Sequence, residues 1–169
     1  WDIERIVGKY ADAAERMQAG GMDGIEIEAY GHLFDQFWSP LTNELDAPYG
    51  GSMDNRLRFA REVLTAIRER VGNDFIVGVR GTADECLPGG LTKTDGIGIC
   101  NHLAATGMVD FLNIIRGHID TDAGLTDVIP VQGMPSSPHL DFAGEIRATV
   151  KIPIFHGAKI QDVTTARHA

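Results

Sequence analysis

Four short apolar stretches, beginning near residues 25, 75, 110 and 153, constrain this chain more than any other feature, because a segment of helical periodicity separates each from the next. Ahead of the first, Ile3, Ile6, Val7, Tyr10, Ala14 and Met17 recur at helical spacing between charges until Gly20 and Gly21 stop the pattern, and a strand follows at 24–28. Ser52 and Asp54 are start residues for a second helix. Its stripe is Leu57, Ala60, Leu64, Ile67 and Val71, and Gly72 closes it where positive φ is easiest. "FIVGVR" at 75–80 reads as a buried strand, 93–106 as a helix stopped by Gly107, and "DFLNII" at 110–115 as the next strand. A helix over 139–150, "IPIFHG" at 152–157 with Pro at its entry, and the start of a helix at 161–169 complete the series. Strands alternating with single helices are successive βα units in a parallel sheet. The expected fold is therefore α/β, either part of a (β/α)8 barrel or a small open sheet, and periodicity alone does not choose. No strand is followed by a glycine-rich phosphate fingerprint, which counts against a dinucleotide-binding sheet. The chain starts inside one helical pattern without a methionine and stops inside another, which reads as a fragment.

Length and composition narrow the function classes. At 169 residues, 43% apolar and 23% charged, the chain is expected to form one domain over 1–169 with a real core. Acidic side chains outnumber basic ones 24 to 15, and the net charge of −9 carries no basic block. Nucleic acid and anionic membranes are poor partners for such a surface. No apolar run is long enough to cross a bilayer, and the acidic pattern Trp1-Asp2-Ile3-Glu4-Arg5 is unlike a signal peptide, so a cytoplasmic location is expected. Cys86 and Cys100 have no second Cys or His at a metal or redox spacing; both read as packing residues, and no metal site is expected.

In parallel α/β folds chemistry gathers at the C-terminal ends of the strands. The first strand delivers Glu28, Tyr30 and His32 there, the second Arg80, the third Asn113, Arg116 and His118, and the fourth His156, Gly157 and Lys159. A phenol and imidazoles relay protons, while Arg and Lys hold anions. Each has a plainer reading as well. A histidine at a strand end is often only hydrogen-bonded scaffolding, and Arg80 has Asp84 and Glu85 within reach for a surface pair. The long segment 29–54, with Phe37, Trp38, Pro40, Asn43 and Tyr49-Gly50-Gly51, is expected to fold over the sheet as a packed lid, with Tyr49-Gly50-Gly51 as its collar. The stretch 116–138, with "IPVQGMPSSP", reads as a substrate loop or a plain crossover.

The runs "DGIEIEAYGHLFDQFWSPLTN" and "YGGSMDNRLRFAREVLTAIRERVGNDFIVGVR" resemble the Old Yellow Enzyme class of flavin oxidoreductases. More narrowly they are similar to the branch holding dienoyl-CoA reductase, trimethylamine dehydrogenase and the demethylases of dimethylglycine and N-methylproline. The resemblance implies an FMN-binding (β/α)8 TIM barrel, of which this chain would supply about strands four to seven. It implies that Tyr30, His32 and His118 are catalytic, that Arg80 faces the flavin, and that Gly157, Ala158 and Lys159 approach its phosphate. Glu28 and Arg116 are implied as substrate-binding residues. Two departures stand out: the loop between Glu28 and Gly31 is one residue shorter than in typical ene-reductases, and Leu45 and Ala47 replace the usual Arg and Asp before Tyr49.

The implied activity is oxidative N-demethylation of a small N-methylated amino acid by hydride transfer to FMN. The rivals are NAD(P)H-dependent reduction of an activated alkene or dienoyl-CoA, and a truncated, non-catalytic barrel fragment. Unpaired sheet edges would favour a homo-oligomer. An iron-sulfur cluster is implied only for sequence beyond this chain, and the electron acceptor is left open.

Overall fold

Hydrogen bonding between the four apolar stretches resolves what periodicity left open. A computed structural model describes residues 2–169, so the reading at Trp1 lies outside the described residues. The strands β1 (Gly24–Glu28), β2 (Ile76–Thr82), β3 (Phe111–Ile115) and β4 (Ile154–His156) form one parallel sheet in the order β1-β2-β3-β4. Each strand lies beside its predecessor. That order winds in a single direction, as in a barrel wall, and lacks the reversal of a doubly wound sheet.

Helices α1 (Asp2–Ala19), α4 (Arg58–Val71), α5 (Lys93–Ala105) and α7 (Leu140–Arg147) form a layer on one face of the strands. Local chemistry starts and stops them. The Ser52 hydroxyl accepts from the Asn55 N–H at 3.3 Å and opens the short α3 (Met53–Arg56), which runs directly into α4. Thr92 and Asp95 form a reciprocal capping box before α5, and Gly72 ends α4 at φ 75°, a conformation costly for other residues.

Alternation along the strands sorts the sheet into two faces. Ile27, Val77, Val79, Leu112 and Ile114 point into the helix layer, where Phe59, Leu64, Ile67, Leu103, Phe142 and Ile146 meet them in one core. Each large side chain buried there stabilises the fold by about 1.5–3 kcal/mol relative to exposure. Arg68 fastens the N-terminal edge: it donates to Met108 O at 2.9 Å, to Phe75 O at 2.6 Å and to Asp110 Oδ2 at 2.7 Å. Asp110 Oδ2 also accepts from the Val77 N–H at 2.7 Å.

Three expectations change. Segment 29–54 is not only a lid: it contains α2 (Leu33–Trp38), whose Phe34 and Trp38 are buried, and Phe37 stacks on Phe59 at 4.6 Å. An aromatic segment of this kind removes more apolar surface from water by entering the helix layer than by lying across strand ends. The collar does form, with Asn43 donating to Phe37 O at 2.7 Å and Tyr49 O at 2.8 Å. Stretch 116–138 is no plain crossover, since Thr121 caps a helix, α6 (Asp122–Val128). Strand β4 spans three residues, shorter than the run 152–157. The last helix, α8, covers Val163–His168. Among the described residues no helix is long and apolar enough to cross a membrane.

Candidate functional site

The face of the sheet away from the helices carries residues that a dry core would reject. Along it run Glu26 and Glu28 from β1, Ile76, Gly78 and Arg80 from β2, Phe111 and Asn113 from β3, and Phe155 from β4, in register across the strands. Gly78 is required because a Cβ there would fall 2.0 Å from the Phe111 ring, which meets Phe155 edge-on at 5.0 Å. Asn113 donates to Glu26 at 3.0 Å, and Arg80 pairs with Glu28 at 3.3 Å. The expected alternative pairing of Arg80 with Asp84 or Glu85 does not occur. With both side chains about 40% exposed the Arg80–Glu28 pair contributes little to stability, typically about 0–1 kcal/mol. Each member also keeps a buried polar atom with no partner, Arg80 Nε and Glu28 Oε1. Unpaired buried atoms of complementary kind are costly unless a ligand completes them.

A cavity of about 650 Å³ opens on this face, lined by Arg80, Asn113, His139, His156, Gly157 and Ala158 among others. Ala158 and Lys159 adopt left-handed backbone, at φ 72° and 55°, in the turn that ends β4. Non-glycine residues hold that conformation only where their surroundings impose it. Here the Lys159 ammonium donates to Val131 O at 2.6 Å and Met134 O at 2.5 Å, while Ser136 Oγ and the Ser137 N–H donate to Lys159 O at 3.0 and 3.2 Å. The turn is thereby tied to the segment between α6 and α7.

A second, much smaller cavity of about 40 Å³ lies between the loops that follow β1, β2 and β3, bounded by Tyr30, Asp35, Thr82, Glu85 and His118. The Tyr30 phenol is half-buried; burial pushes its pKa up, Arg80 opposes this, and the carboxylates of Glu28 and Asp35 add to it. His118 Nδ1 lies 3.1 Å from Glu85 O and its Nε2 3.3 Å from Thr121 Oγ1, so both ring nitrogens have protein neighbours. Gly31, at φ 69°, lets the chain turn beneath Ile119, 2.7 Å from where a Cβ would stand. His32 is exposed at the start of α2 and forms no cap bond through its side chain.

The structure thus brings Tyr30 and His118 together around one cavity, sets Glu28 beside Arg80, and places Gly157 and Ala158 on the larger cavity with Arg80. Arg116 stands apart. Its Nε and Nη2 donate to Asp84 Oδ2 at 3.1 and 2.8 Å, and its guanidinium lies 5.6 Å from the Phe142 ring. Two residues escaped the sequence reading. His139 appeared only as a helix start, yet it is buried, donates through Nε2 to Asp127 O at 2.7 Å, and burial pulls its pKa down toward the neutral form. Asp35 was not singled out at all: it lies inside the segment 29–54, and only the structure places it in the first turn of α2. Burial pushes its carboxyl up to about 6, with the Gly31 N–H opposing and Glu85 and Asp120 adding.

The model of the NADH:flavin oxidoreductase / NADH oxidase family matches residues 1–166. The chain is 71% identical over 169 residues to the probable N-methylproline demethylase of Rhizobium meliloti (strain 1021), covering 100% of this chain and 25% of that protein. It is 43% identical over 166 residues to the N,N-dimethylglycine/sarcosine dehydrogenase of Chromohalobacter salexigens, covering 98% and 24%. Among solved structures, 2-naphthoyl-CoA reductase in complex with 2-naphthoyl-CoA superposes with a TM-score of 0.90 at 27% identity, over 99% of this chain and 25% of that one. The chain spans about a quarter of the length of the curated relatives it matches.

Proposed function

The chain belongs to the NADH:flavin oxidoreductase / NADH oxidase family, and from that premise we propose that it is part of an FMN-dependent enzyme that oxidatively demethylates a small N-methylated amino acid, such as N-methylproline or N,N-dimethylglycine. The observation that carries this reading is 71% identity along the whole chain to a probable N-methylproline demethylase. In this reading residues 1–169 are one partial barrel domain comprising about strands four to seven.

The residues present fit FMN: Arg80 brings a fixed cation and an unpartnered buried Nε to the open sheet face, and Gly157 and Ala158, at the turn whose left-handed residues are Ala158 and Lys159, border the same cavity. FMN, when bound, supplies the hydride-accepting chemistry that no side chain offers. Arg80 would hold its ring electrostatically, and Gly157, Ala158 and the Lys159 backbone its phosphate, the Lys159 ammonium being held on Val131 O and Met134 O. Glu28 keeps a free carboxylate oxygen for a substrate ammonium. Arg116 reaches a substrate carboxylate only through Nη1, the nitrogen that Asp84 leaves unengaged. Tyr30, His32 and His118 orient the amine and move its proton, since an amine gives up hydride from its N-methyl carbon only when the nitrogen lone pair is free. Hydrolysis of the resulting iminium yields formaldehyde and the demethylated amine.

An iron-sulfur cluster and the contact with the electron acceptor belong, in this reading, to sequence beyond the chain. The partners are small molecules rather than nucleic acid or membrane, the compartment is the cytoplasm, and the enzyme is a homo-oligomer.

The likeness to 2-naphthoyl-CoA reductase favours a second reading, reduction of an activated alkene at the same face. One assay separates the two. A polypeptide of the relatives' full length carrying this chain is desalted, its flavin absorbance recorded, and formaldehyde measured with N-methylproline and N,N-dimethylglycine. Retained flavin with formaldehyde release is the expected result. Flavin with NAD(P)H consumption on an enoyl substrate and no formaldehyde overturns the demethylase reading, and a colourless, inert protein makes this chain a non-catalytic barrel piece.

A further inference from the structure

The Asp35 carboxyl sits in the 40 Å³ cavity wall with its two oxygens in unlike situations. Oδ2 accepts from the Gly31 N–H at 2.5 Å, while Oδ1 is buried with no partner. The space exceeds what one water needs, and its walls carry the phenol of Tyr30 and the imidazole of His118. The Gly31 N–H engages one carboxylate oxygen only, so the second stays available beside a polar cavity.

We propose that Asp35 is a positioning residue for Tyr30: across this cavity its free oxygen orients the Tyr30 hydroxyl and, through it, receives the proton that a substrate ammonium sheds. The inference rests on the amine-oxidising reading above. The step balances: the ammonium N–H bond breaks, its electron pair stays on nitrogen, and the proton comes to rest on the Asp35 carboxylate and then passes to water.

The groups facing Asp35 are Tyr30 and His32 from its own loop, Glu85 from the loop after β2, and His118 and Asp120 from the loop after β3. Burial together with Glu85 and Asp120 raises its affinity for a proton, against the pull of the Gly31 N–H and His32. A base whose midpoint stands at about 6 is ionised at neutral pH yet basic enough to accept.

The test uses Asp35→Asn and Asp35→Glu in a polypeptide of the relatives' full length. For the wild type, kcat/KM with N-methylproline is expected to rise with pH through a limb near 6. Asp35→Asn is expected to lose that limb and at least tenfold in rate above it; Asp35→Glu is expected to restore part of both. A variant that keeps the limb and the rate overturns the proposal.

A second measurement needs no turnover. With 3-fluorotyrosine at position 30, the 19F signal is expected to shift with the Asp35 midpoint in the wild type and to stay flat over that range in Asp35→Asn. A signal indifferent to Asp35 overturns the coupling. If the wild type shows the coupled 19F shift but demethylates neither amine, the proposed substrate class fails while the Asp35–Tyr30 pairing stands.

Discussion

The two faces of this one sheet obey different rules. On the helix side, alternate strand residues are aliphatic and meet a layer of aromatic and aliphatic side chains with almost no exposure. On the open side, the intervening residues include Glu26, Glu28, Arg80 and Asn113 beside Ile76, Gly78, Phe111 and Phe155, the last 54% exposed. Adjacent residues of the same strands therefore do different work. The helix side holds the fold together, and the open side keeps charge and unpaired polar atoms at a cost that a hydrogen-bonding partner would offset. The cavity at Asp35 follows the second rule, with a carboxyl held against its ordinary preference where three loops converge.

The contrast is sharpest in the largest expected effect. Phe59, fully buried and packed against Phe34 and Phe37, should cost about 3–5 kcal/mol when replaced by Ala, read as a fall in the denaturation midpoint. Phe155→Ala on the other face should cost below about 1 kcal/mol in the same measurement. Comparable losses from the two would break the distinction between the faces. Next in size is Asp110→Ala at the edge of the helix side, which strands the Val77 N–H and leaves Arg68 Nη2 without its carboxylate while its other bonds remain. A loss of about 2–3 kcal/mol is expected, and a neutral result would mean that the bolt contributes no stability.

Asp35→Asn should move the other way. Its folded-state pKa lies above the ordinary 3.8, at about 6, so ionisation favours the unfolded chain; the penalty is full above about pH 6 and absent below 3.8. Discounting for partial exposure, the variant should gain about 1–2 kcal/mol at pH 8 and nothing at pH 3.5. A loss of stability at pH 8 would turn Asp35 into an ordinary helix cap. The smallest change in stability belongs to Glu28→Gln, below about 1 kcal/mol by denaturation because its pair with Arg80 is half exposed. Its effect should appear instead as a raised KM for the amine. A large stability loss with unchanged KM would move Glu28 into the scaffold.

Much of the fold was legible because its signals are local. Helix stripes, the Ser52 cap and Gly72 each act within one or two turns, so their positions along the chain announce them. Helix α6 stayed hidden because it is seven residues long and carries only a hydroxyl cap, too short for a periodic stripe. The aromatic residues of 29–54 were visible as residues, but their destination in the helix layer was not, since Phe37 meets Phe59 only once α4 is in place. At the site, the strand-end rule named Tyr30, Arg80 and His118, each of which the structure sets beside a cavity. It said nothing of Asp35 or His139, whose significance comes from burial.

The sequence by itself determined the βα alternation, the parallel sheet and, through its extended motifs, membership of a flavin oxidoreductase family, because these rest on short-range periodicity and on long runs of matching residues. Tertiary structure alone decided which charges meet. Glu28 finds Arg80 across 52 positions and Asp84 finds Arg116 across 32, and the partners of Arg80 and Asp84 are the reverse of what proximity along the chain suggested. It also decided which carboxyl is buried. Pairing and desolvation depend on what surrounds a side chain in space, and that is set by strand register and loop packing over the whole fold rather than by neighbours in sequence.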